Sequence, residues 1–228
     1  MKTLILIHGW GANGAVWARQ AQAFEGRLQQ VLTPDIPVWE PEWLEDYLQK
    51  FSLADCLLVG WSLGGMLLLE ILARQAASPG GLALVGVPAV FCSRPDYPWG
   101  QSPAAVRAMR LGLKTDPRKV LRDFANSCLS PGEAAFQAEV NSLFPEGDRA
   151  HLAAGLDYLR RRDLRPLLAP RPMPAAIIQG DQDGIVSPEQ ARFLQKSLPG
   201  SSLHLLPGAG HLPFWTQAEQ FNGILAKL

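Results

Sequence analysis

The pentapeptide Gly60-Trp61-Ser62-Leu63-Gly64 constrains this chain more than any other stretch. The apolar run Cys56-Leu57-Leu58-Val59 precedes it and Gly65-Met66-Leu67-Leu68-Leu69 follows, so the segment reads as a buried strand, a sharp turn and a helix start. Such a turn holds the serine in a strained backbone conformation that projects its hydroxyl from the sheet edge. Side chains two residues before or after would collide with neighbouring backbone, which is why both positions are glycine. The helix begins at the serine. Its free N–H groups and positive dipole end favour the negative charge that develops in acyl transfer. A Gly/Ser turn arising by accident would have no reason to sit between so clear a strand and so clear a helix.

The same rhythm runs along most of the 228 residues. Leu4–Ile7, Gln30–Thr33, Cys56–Gly60, Leu82–Val87, Ala175–Gln179 and Ser202–Leu206 are short apolar runs ended by turn residues. They lack polar alternation, as parallel strands covered on both faces do. Val16–Phe24, Trp43–Phe51, Leu63–Ala77, Pro188–Leu198 and Thr216–Leu228 have helical patterns. Alternation of the two predicts an α/β fold with about six parallel strands flanked by helices. From Phe91 to Pro170 no strand is evident. Four helical stretches stand there instead (Pro103–Leu113, Pro117–Cys128, Glu133–Leu143 and Arg149–Arg162), divided by Pro and Gly. They predict a helical cap inserted before the last two strands, with residues 1–90 and 171–228 forming the core and 91–170 the cap. The prolines at 166, 170, 172 and 174 suggest a stiff return from cap to core.

A serine hydroxyl is a poor nucleophile at neutral pH and needs a base. Of the four histidines, His211 lies in the turn after the last strand, at the edge where Ser62 emerges. His204 reads as a satisfied strand residue, His151 as a residue of the cap surface, and His8 as a ring that orders its loop. The base needs a carboxylate to fix its tautomer and to stabilise the imidazolium. Asp181 and Asp183, in the turn after the fifth strand, compete for that role. Turn carboxylates commonly bond nearby backbone N–H groups, which suits Asp181. Asp183 precedes Gly184 and the apolar pair Ile185-Val186, which would anchor it near the histidine, and it is favoured. The chain order Ser62, Asp183, His211 follows. Donors for the oxyanion should be the backbone N–H groups of Leu63, next after the serine, and of Trp10, in the glycine-flanked turn after the first strand.

Composition narrows the partners. With 21 basic and 21 acidic side chains the net charge is zero, which offers no field for nucleic acid or an anionic membrane. Cys56, Cys92 and Cys128 form no CxxC pair, so no metal, cofactor or redox site is expected, and they read as reduced structural thiols. Leu4–Ile7 is too short for a signal peptide, and the apolar run Met66–Leu72 is broken by Glu70, so a cytoplasmic protein without a membrane span is expected.

These residues resemble the α/β-hydrolases, and more narrowly the biotin-synthesis esterases that demethylate pimeloyl-acyl-carrier-protein methyl ester. The likeness lies in Leu4-Ile5-Leu6-Ile7-His8-Gly9-Trp10-Gly11, Gly60–Gly65, Phe91-Cys92-Ser93-Arg94 with Trp99, Ala154–Leu159 leading into Asp163-Leu164-Arg165, Asp183–Val186 and Gly208–Phe214. The resemblance implies the α/β-hydrolase fold and a cofactor-free carboxylesterase taking a medium-length acyl ester. It implies that Trp10 and Leu63 line the acyl pocket, with Phe124 as a cap aromatic over the chain. It also implies that cap arginines Arg107, Arg110, Arg118 and Arg122 meet an acidic carrier protein. Two features depart from the family. The sequence enters at what would be the third strand of a full hydrolase sheet, and Pro34–Trp39 lacks the usual glycine-serine turn. The alternatives are a general carboxylesterase, a thioesterase or a C–C hydrolase of another small acyl substrate, and a non-catalytic hydrolase-like binding protein.

Overall fold

The architecture, taken from a computed structural model that describes residues 2–74, 78–168 and 175–228, rests on one six-stranded sheet. The strands are β1 (Thr3–Ile7), β2 (Gln30–Leu32), β3 (Cys56–Trp61), β4 (Gly81–Val85), β5 (Ala176–Gly180) and β6 (Ser202–Leu206). Their order is β2-β1-β3-β4-β5-β6, and every neighbouring pair is parallel, as the unalternated apolar runs predict. β1, β3 and β5 are buried at every residue.

Strand order fixes where the helices lie. From β1 the chain steps one way to β2, and from β2 onward it steps the other way. Right-handed crossovers therefore put α1 (Ala18–Phe24) on one face and α2 (Pro41–Leu48), α3 (Leu63–Arg74) and α8 (Pro188–Ser197) on the other. α2 packs on α3, while α1 packs on the terminal pair α9 (Pro213–Thr216) and α10 (Ala218–Leu225). The reversal between β1 and β3 opens a crevice at their carboxyl ends, where ligands of open α/β sheets bind.

Between β4 and β5 lie α4 (Pro103–Thr115), α5 (Pro117–Ser127), α6 (Gln137–Ser142) and α7 (Arg149–Arg161). Proline at the first helical position and a capping side chain start α4 and α5: Ser102 accepts from Ala104 N–H and Asp116 from Lys119 N–H. Asp148 caps α7 through the N–H groups of Ala150 and His151.

Several boundaries differ from the sequence expectation. β4 stops at Val85: Gly86 N–H still donates to Ile178 O at 3.0 Å, and its φ of +54° then turns the chain away. The 133–143 stretch is a 3-10 segment, Pro131–Phe136, followed by the short α6. The last helix is two, broken at Gln217, whose amide donates to Pro207 O at 2.8 Å. Residues 75–77 and the prolines at 170, 172 and 174 lie outside the described residues.

Candidate active site

Ser62 has φ +53° and is the one non-glycine with positive φ among the described residues. That strain is held by bonds on both sides of the turn. Its N–H donates to Val85 O at 2.9 Å, and its carbonyl accepts from Met66 N–H at 3.0 Å. A Cβ at Gly60 would stand 2.5 Å from Gly65 Cα, and one at Gly64 would stand 2.2 Å from His8 O. Glycine is thus required where the turn packs on its own helix and on the loop after β1.

His211 Nδ1 lies 2.7 Å from Asp183 Oδ2. Asp183 is itself fixed: Oδ1 accepts from the N–H groups of Ile185 and Val186 at 2.8 and 2.9 Å, and Oδ2 from Gln179 Nε2 at 2.8 Å. A carboxylate so placed accepts the Nδ1 proton, leaving the Nε2 lone pair of the imidazole free. Nε2 is buried and has no hydrogen-bond partner among the described residues. Elbow and base share supports: Trp61 Nε1–H donates to His211 O at 3.0 Å, and a Cβ at Gly86, next after Val85, would lie 2.9 Å from His211 Cε1. Asp181 instead accepts the Gly208 N–H at 2.7 Å. Ser62, Asp183 and His211 are 4, 5 and 0% exposed, so the site is closed over.

The loop after β1 runs alongside the serine, since a Cβ at Gly9 would stand 3.1 Å from Ser62 Cβ. His8 orders that loop: Nδ1–H donates to Gly9 O at 2.9 Å and Nε2 accepts from Ile36 N–H at 3.0 Å. Burial pushes its pKa down to about 4, so the ring is neutral. Leu63 N–H, first in α3, lacks an intrahelical partner as at any helix start. Trp10 donates its indole N–H to Leu152 O at 2.8 Å and meets Phe124 edge-on at 4.9 Å. Phe124 also lines a cavity of about 560 Å³ between α4, α5 and Gly184-Ile185.

Other sequence candidates are dispersed. His204 bonds Ser202 Oγ at 2.9 Å. His151 is half-buried and stacks on Trp39 at 4.9 Å, rather than lying free on the surface. Arg110 pairs with Asp157 and Arg118 with Glu146, while Arg107 and Arg122 are exposed and make no ion pair among the described residues. Cys56, Cys92 and Cys128 are buried free thiols. Among the described residues no cluster of His, Cys, Asp and Glu could hold a metal, and no helix is long and apolar enough to cross a membrane. Sequence reasoning missed Gln179 and Gly86. Their signals were an amide in an apolar strand and a glycine at a strand's end.

A strained serine after a central parallel strand, with a bonded Asp–His pair from the turns after β5 and β6, defines a class, and residues 4–224 match its family model: the chain belongs to the alpha/beta hydrolase family. Within that class it is similar to enzymes of one narrower kind. The pimeloyl-[acyl-carrier protein] methyl ester esterase of Nitrosomonas europaea is 30% identical over 231 residues, covering 96% of this chain and 92% of the relative. The enzyme of that name from Nitrosospira multiformis is 28% identical, with 96% and 90% covered. An esterase from Exiguobacterium antarcticum superposes with a TM-score of 0.90 at 22% identity, over 100% of this chain and 91% of its own, a likeness of fold.

Proposed function

We propose that this protein is a serine carboxylesterase that hydrolyses the methyl ester of an acyl chain carried on acyl carrier protein, with pimeloyl methyl ester as substrate. The supporting observation is the strained Ser62 together with the hydrogen-bonded Asp183–His211 pair, in a chain aligned almost end to end with esterases of that name.

Ser62 Oγ attacks the ester carbonyl carbon while His211 Nε2 takes the hydroxyl proton. Asp183, ionised, stabilises the imidazolium. The backbone N–H groups of Trp10 and Leu63 hold the oxyanion. Collapse breaks the bond to methoxide, which takes the proton from His211 and leaves as methanol. Water then attacks the acyl-serine, gives its proton to His211, and the acid departs as Ser62 is reprotonated. No cofactor enters this sequence.

Trp10, Leu63 and Phe124 form the acyl-binding wall, and residues 91–170 act as a cap on the core of 1–90 and 171–228. Arg107 and Arg122 are free to meet an acidic carrier protein, and Arg110 and Arg118 lie between them in sequence. Such pairs speed docking and weaken with salt. A carrier-bound substrate carries with it a cytoplasmic location.

The test is hydrolysis of the pimeloyl-carrier methyl ester beside a chain-length series of p-nitrophenyl esters, with Ser62→Ala as control. The expected result is preference for the carrier-bound ester and no turnover by the variant. Appreciable hydrolysis by Ser62→Ala would refute the nucleophile. Preference for other esters, thioesters or C–C bonds would move the reading to those hydrolases, and an inert wild type to a binding protein.

A further inference from the structure

The histidine loop does not stand on the core alone. His211 N–H donates to Cys128 O at 2.7 Å, Gly210 N–H to Glu133 Oε2 at 2.8 Å, and Ser130 Oγ–H to Gly208 O at 2.7 Å. All three acceptors or donors on the far side belong to the segment that follows α5. Glu133 is the knot of this set. Its Oε2 also accepts Ser130 N–H at 2.8 Å, so one carboxylate oxygen ties the turn after α5 to the residue before the imidazole. The side chain is buried, with the residue 6% exposed, and Oε1 has no hydrogen-bond partner among the described residues. A carboxylate placed out of water with half its acceptors unused costs stability. Its single bonded oxygen meets backbone at both ends, and a Cβ at Gly210 would lie 2.8 Å from that oxygen and 2.4 Å from Cys128 O. The fit leaves the loop no room to shift toward the helical segment, and the bonds stop it from shifting away.

We propose that Glu133 is a positioning residue for the catalytic base: by accepting Gly210 N–H and Ser130 N–H together it sets the place of His211 relative to Ser62. The inference rests on the Ser62–His211–Asp183 reading and adds to it a residue that touches neither substrate nor reacting atoms. Displacing a base by about 1 Å costs on the order of 100-fold in rate, whereas the acyl-binding wall at Trp10 and Phe124 is built from other residues.

The test separates rate per site from number of folded sites. Wild type, Glu133→Gln, Glu133→Ala and Glu133→Asp are titrated to completion with a fluorophosphonate, and kcat and KM for p-nitrophenyl butyrate are expressed per titrated serine. The amide oxygen of glutamine accepts the same two N–H groups, so Glu133→Gln should keep kcat within about threefold of wild type. Alanine has no acceptor and aspartate is one methylene short. Both should lose kcat per site by about 10- to 100-fold, with KM within about twofold. If alanine unfolds the protein, the comparison of glutamine with aspartate still decides. A purely structural role predicts fewer titratable sites and an unchanged rate at each one, and that result overturns the inference. Equal loss in the glutamine and aspartate variants overturns it too. Failure of wild type to titrate at Ser62 sinks the triad reading and this inference with it, whereas normal wild-type titration with unaffected variants sinks this inference alone.

Discussion

At position 86 the chain leaves β4 with φ +54°, and a methyl group there would stand 2.9 Å from both Cε1 and Nδ1 of His211. Gly86→Ala therefore strains the backbone by about 1 kcal/mol and drives a carbon into the imidazole. The expected result is a fall of roughly 100-fold in kcat/KM toward p-nitrophenyl butyrate; a variant within twofold of wild type would show that the ring has slack. Ser62, at φ +53°, pays a similar strain for its position at the apex of the turn. Ser62→Gly should be inactive yet more stable than Ser62→Ala by about 1 kcal/mol, read from urea denaturation. Equal stability of the two would mean that the turn stores no strain. The serine was legible because its motif is local, five residues with a strand before and a helix after. Gly86 was not, because its reason is a ring from a turn 125 residues further on.

α3 is buried through ten successive residues, and one of them is Glu70. In sequence this carboxylate reads only as an interruption of an apolar run. In the fold it accepts from Tyr158 Oη–H at 2.7 Å and from Arg162 Nε at 2.6 Å, and it pairs with Arg74. Core helix and the end of α7 are fastened there. Glu70→Ala should cost about 3 kcal/mol by urea denaturation, the pairing arginines being partly in water, and Tyr158→Phe about 1 kcal/mol. The double variant should lose less than the sum of the two, and strict additivity would show that the two groups are not coupled. Helix starts were readable at α4 and α5, where a proline and a capping side chain announce them, and at α7, where Asp148 caps. The 3-10 segment before α6 and the break at Gln217 were not, since Glu133 and Gln217 bond outside their own helices, to Gly210 and to Pro207.

For the molecule as a whole, the strand rhythm was enough to predict six parallel strands, while the ring contacts of Trp10 with Phe124 and of Trp61 with Phe144 join residues far apart in the chain and no local pattern encodes them. His8 gives that whole a pH dependence. Burial holds its folded pKa at about 4, below the ordinary 6.5. The unfolded chain takes up the proton first, so this contribution is complete above pH 6.5 and is withdrawn as pH falls from 6.5 toward 4. At pH 4.5 the loss is about 2.5 kcal/mol. The unfolding free energy of wild type should therefore drop more steeply from pH 7 to 4.5 than that of His8→Gln, and parallel profiles would place the proton elsewhere.

Ser62 shows only 4% of its surface, the side chains of its neighbours covering the rest. Anything larger than water reaches it only when those side chains have moved aside. The speed at which a small phosphonate captures the hydroxyl is then its intrinsic speed multiplied by the fraction of molecules standing ajar. Followed against temperature or viscosity, that one covalent event becomes a gauge of how often the roof lifts, independent of any ester.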